Sequence, residues 1–98
     1  MINITIEQVV EMHTELILEF GGMPGIKNLY LLESAVLSPL LGYYEDDIEI
    51  IGAIVYGVCQ NHPFNDGNKR VAYLLGKYLL NSINLNLTLT NNEYEQVI

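Results

Sequence analysis

Positive charge is scarce in this chain: four of its 98 residues are lysine or arginine, against twelve aspartates and glutamates, for a formal net charge of −8. Such a surface repels polyphosphate at long range, which argues against direct nucleic-acid binding unless cations are gathered locally. Cysteine is scarcer still. Cys59 alone cannot close an internal disulfide, and its apolar surroundings predict a small core residue in a reducing, cytoplasmic setting. The apolar stretch from Ile48 to Cys59 is broken by Glu49 and glycines, so no membrane span is expected. Met1-Ile2-Asn3-Ile4-Thr5 lacks the positive region and apolar core of a secretory signal. Two histidines and one cysteine make up no zinc-type ligand pattern. There is no strand-to-helix glycine-rich phosphate loop and no serine nucleophile elbow.

What is present is apolar and patterned. Half of the residues are hydrophobic and 16% are charged, which suits one compact domain over residues 1–98. Thr5 followed by Gln8 reads as a capping box, and Gly21-Gly22 as the stop of a helix ending at Phe20. Ile6, Val9, Val10, His13, Ile17 and Phe20 form its predicted buried stripe, while Glu7, Glu11, Glu15 and Glu19 share another, solvated face. Asn28 caps a short second helix that stops before Pro39. A loop carrying Gly42, Tyr43 and Tyr44 suggests a flap over a binding cleft.

Asp46 or Asp47 opens the most apolar helix, expected at the centre of the fold and ending near Gln60-Asn61. The next helix spans about 67–81, with Val71, Leu74, Leu75 and Tyr78 predicted to be buried. Asn84 to Thr90 reads as extended, with a short hairpin conceivable there, and Thr90 with Glu93 starts a final helix. The expectation is therefore an all-α fold of about five helices, its last element cut short.

The informative segment joins the two most apolar helices: His62-Pro63-Phe64-Asn65-Asp66-Gly67-Asn68-Lys69-Arg70. The first N–H groups of a helix lack partners and carry partial positive charge, so they attract anions. Gly67 is expected to let a ligand approach the backbone, and Asn68 to donate its side-chain amide to a phosphate oxygen. Lys69 and Arg70 oppose the helix dipole unless an anion lies between them. Asp66 suits two roles, helix N-cap or hard oxygen ligand for Mg²⁺. A neutral imidazole at His62 suits general-base removal of a hydroxyl proton. Phe64 is expected to plug into the core, and His13 to pack in or beside it with its ring nitrogens bonded.

These nine residues resemble the signature of the Fic/Doc proteins, and specifically of the death-on-curing (Doc) branch. The likeness extends to His13, to Phe20-Gly21-Gly22-Met23-Pro24-Gly25-Ile26, and to Leu31-Leu32-Glu33-Ser34-Ala35 followed by Pro39. The resemblance implies the compact helical Fic core and transfer of part of ATP, with Mg²⁺, to a protein hydroxyl. His62 would be the base, Asp66 the Mg²⁺ ligand, and Gly67, Asn68, Lys69 and Arg70 the phosphate cradle. The adenylylating Fic pattern has glycine in place of Lys69 and arginine in place of Tyr73. Lysine there implies a nucleotide turned to present its γ-phosphate, hence a protein kinase. Doc-type relatives are toxins that phosphorylate a threonine of elongation factor Tu and are restrained by a small antitoxin. Self-inhibitory Fic residues are missing, so restraint is expected from another chain. The alternatives are adenylylation, or a truncated, non-catalytic module that binds an antitoxin, since Doc-type chains usually continue for a further helix beyond the equivalent of Ile98.

Overall fold

The computed structural model describes residues 2–85. They form four α-helices: α1 (Ile6–Phe20), α2 (Leu29–Leu37), α3 (Asp47–Asn61) and α4 (Asn68–Ser82). A single 3₁₀ turn, Ser38–Leu41, follows α2. Among the described residues the only β-type pairing is an isolated antiparallel bridge between Ile26 and Phe64. The fold is all-helical, as expected. The extended segment predicted from Asn84 lies beyond the described residues after Leu85, and so does the helix predicted at Thr90 and Glu93.

Three helix starts are written locally. The Thr5 hydroxyl accepts from the Gln8 N–H while the Gln8 side chain accepts from the Thr5 N–H, completing the capping box of α1. Asn28 Oδ1 accepts from Leu31 N–H at α2, and Asp46 Oδ1 from Glu49 N–H at α3. Each such cap stabilises its helix by about 1 kcal/mol.

Helix α3 packs against both α2 and α4, and α1 lies on α4. The core gathers Val9, Leu32, Val36, Ile54, Val58, Val71, Leu75 and Leu79 with Phe64 from the α3–α4 loop. Two glycines let the helices close up. A Cβ on Gly57 would meet Ala35 of α2 at 3.1 Å, and one on Gly76 would meet Val55 Cγ2 of α3 at 2.9 Å.

That close approach corrects the expected stripe of α4. The buried residues are Val71, Ala72, Leu75, Gly76 and Leu79, while Leu74 is half-buried and Tyr78 exposed. The helix turns its smallest side chains toward α3 rather than Tyr78. On α1 the stripe holds at Val9 and His13, but Phe20 is 58% exposed. Glu7, Glu11, Glu15 and Glu19 are all exposed, as the like-charge spacing requires.

Candidate active site

The loop after α3 begins with His62, which is exposed and left-handed (φ 48°, ψ 56°). Pro63 disfavours helical geometry for the residue before it, which is why α3 stops at Asn61. A left-handed conformation costs a non-glycine residue roughly 1–2 kcal/mol, so the surroundings must hold His62 there. They do so through backbone clips. The Pro63 carbonyl accepts from the N–H groups of Lys27 (2.7 Å) and Asn28 (3.0 Å), and the Asn65 N–H donates to the Gly25 carbonyl (3.1 Å). Asn65 Nδ2 also donates to the Pro24 carbonyl. Residues 24–28 thus run beside the loop as its support.

Phe64 is buried as predicted. Its N–H donates to Asn68 Oδ1 (2.9 Å) and its carbonyl accepts from Asn68 Nδ2 (3.0 Å). Each end of the Asn68 amide thus holds the loop by one hydrogen bond. Nδ2 keeps a second hydrogen, and the Asn68 backbone N–H at the start of α4 is a further donor for a ligand.

Asp66 is not the helix cap. Gly67 occupies that place at φ 71°, and no side chain caps α4. The Asp66 carboxylate instead accepts from the Gly67 N–H through Oδ1 (2.9 Å) and from the Met23 N–H through Oδ2 (3.1 Å). Gly22 lies against it; a Cβ there would sit 2.8 Å from Oδ2 at a φ of +115°. The reason expected for Gly67 also changes. Its missing Cβ points toward Ile17 and His13, not into open space, so the left-handed φ demands glycine rather than ligand clearance.

With no side-chain cap, the N–H groups of Asn68, Lys69 and Arg70 at the start of α4 are left without the helix's own acceptors. They open on a cleft of about 940 Å³ whose lining includes Gly22, Cys59, His62 and Asp66 through Arg70. Tyr43 and Tyr44 are not among its lining residues, so the predicted flap does not border it. Lys69 and Arg70 are both exposed. The Arg70 guanidinium lies 4.7 Å from the centre of the Phe20 ring, a cation–π contact at the end of α1. Cys59 is half-buried, packed against the core as expected and also lining the cleft. Burial pushes its thiol above the ordinary value, with Lys69 pulling the other way.

The carboxylate fits a divalent cation held jointly with a ligand. Each Asp66 oxygen accepts one N–H and keeps lone-pair capacity. No group of three or more His, Cys, Asp or Glu side chains suited to a metal occurs among the described residues. Mg²⁺ is commonly bound by one or two carboxylates together with substrate phosphates and water.

The structure thus brings His62, Asp66, Gly67, Asn68, Lys69 and Arg70 to one cleft. Three contributors escaped the reading of the sequence. Phe20 looked like a core position by helical period, Gly22 like part of a helix stop, and the backbone of Met23 carries no side-chain signal. A model of the Fic/DOC family matches residues 3–80. No curated protein matches the chain.

Proposed function

The chain belongs to the Fic/DOC family, and on that premise we propose that it transfers the γ-phosphate of ATP to a hydroxyl group of a protein. The reading is carried by one observation: an uncapped helix N-terminus with two cations in its first turn opens on the same cleft as an exposed histidine. Lys69 and Arg70 are unfavourable beside the positive end of α4 until an anion lies there. A triphosphate supplies that anion.

In this reading the N–H groups of Asn68, Lys69 and Arg70, with the two cationic side chains, hold the phosphates and the charge developing on them. Asp66 is the residue that would hold Mg²⁺, which neutralises phosphate charge when bound. His62 takes the proton of the attacking hydroxyl as its oxygen bonds to the γ-phosphorus. The bond from the γ-phosphorus to the bridging oxygen breaks, and ADP leaves with the electron pair. Exposure of His62 suits a target hydroxyl on another macromolecule. The family resemblance points to a translation factor such as elongation factor Tu as substrate, to a small antitoxin as regulator, and to the cytoplasm as the setting.

Parallel incubations with a protein substrate and ATP labelled at the γ or the α position test the proposal. Label from γ alone is expected. Label from α alone overturns phosphotransfer in favour of adenylylation, and label from neither leaves the chain as a binding module.

A further inference from the structure

His13 has no part in the chemistry just described, yet it is the only polar side chain among the buried residues of the described chain, at 2% exposed. Its Nε2 lies 2.7 Å from the carbonyl oxygen of Asp66, a residue 53 positions away. A carbonyl only accepts, so Nε2 carries the proton and donates. The ring also stacks on Phe64, with centroids 3.8 Å apart and 7° between the planes. One side chain of α1 therefore grips the site loop at two points, the Phe64 ring and the Asp66 main chain.

We propose that His13 is a positioning residue of the site, holding the Asp66 peptide so that its carboxylate and the N–H groups of Asn68, Lys69 and Arg70 face the cleft together. The neighbouring constraints leave a gap that His13 fills. The Met23 and Gly67 N–H groups orient the Asp66 carboxylate, and Asn68 secures Phe64. The Asp66 carbonyl lies between them, directly before the left-handed Gly67 that starts α4. Glycine is the most permissive hinge available, so a peptide preceding it needs an external hold. The donor at His13 Nε2 supplies that hold. A merely space-filling core residue at this position would have no reason to be a histidine.

Only the activity part of the test rests on the transfer reading given above. His13→Gln keeps a donor near the position of Nε2, whereas His13→Asn withdraws it by one carbon, and both lose the ring stack equally. His13→Phe keeps the stack and loses the donor. Each full-length variant is compared with the native chain by amide hydrogen exchange over residues 64–70 and by Mn²⁺-induced broadening of the same amide resonances, with Mn²⁺ as the probe for the Asp66 carboxylate. The Gln variant is expected to keep the native exchange pattern and Mn²⁺ affinity. The Asn and Phe variants are expected to exchange faster in this segment alone and to bind Mn²⁺ about 10- to 100-fold more weakly, the range typical for groups that orient a metal ligand. Where transfer is measurable, kcat falls in that same order and His13→Gln rescues it. Equal behaviour of Gln and Asn, or native behaviour of Phe, overturns the proposal. Absence of transfer in the native chain contradicts the transfer reading instead, while the exchange and Mn²⁺ measurements still decide the role of His13.

Discussion

His62 combines an exposed side chain with a backbone conformation that disfavours it. Strain of this kind persists where the surroundings over-determine it, and it gathers at functional sites. His62→Gly is accordingly expected to abolish transfer while raising unfolding free energy by up to about 1 kcal/mol, because relief of the left-handed penalty exceeds the added unfolded-state entropy. Denaturant unfolding alongside the transfer assay checks this; a marked loss of stability would mean that the imidazole packs structurally. Phe20 is the other residue whose role depends on a partner. Its ring lies under Arg70, a contact of about 0.5–1 kcal/mol at an exposed site. Phe20→Leu should therefore lower the melting temperature by a few degrees and, with Arg70 no longer held, weaken ATP binding by up to roughly two- to fivefold. Calorimetric titration with ATP and Mg²⁺ measures it, and unchanged affinity would show that the stack does nothing for the phosphates.

Among the elements, α4 bears both the site at its start and a close approach to α3 in its middle. Gly76 faces Val55, whose stiff side chain leaves 2.9 Å for an added Cβ. Gly76→Val is expected to destabilise the fold by about 1–3 kcal/mol through overpacking, read as a fall in the denaturation midpoint, although helix propensity alone would favour valine over glycine. The same helix shows how far the sequence could be read. The starts of α1, α2 and α3 were legible because Thr5, Asn28 and Asp46 bond to N–H groups three residues away, so the signal is local. The start of α4 falls within one residue of the predicted 67, but its cap was not legible. Asp66 has the type of an N-cap, but Met23, 43 residues distant, draws off one oxygen and His13 takes the carbonyl. Likewise, stripes through Leu74 and Tyr78 or through Ala72 and Leu79 are neighbouring arcs of one helix. Contact with α3 selects the second, and period alone cannot.

At the scale of the molecule, an acidic chain places two of its four cations, Lys69 and Arg70, at the mouth of one cleft. The chain as a whole, with a net charge of −8, repels phosphate polymers, so a small anion is favoured at that point over nucleic acid. The segment His62–Arg70 stood out in the sequence because its polar residues lie together between two apolar helices. Its support was invisible there, because the clips from residues 22–28 and from α1 are backbone or long-range contacts. In the proposed reading, the start of α4 forms a Mg²⁺-dependent triphosphate site. Its most direct test is a titration of the ¹⁵N-labelled chain with ATP, followed amide by amide, with and without Mg²⁺. The largest shifts are predicted at Asn68, Lys69 and Arg70, strengthened by Mg²⁺ in the native chain but not in Asp66→Ala. Shifts centred elsewhere, or none at millimolar ATP with Mg²⁺, would contradict it.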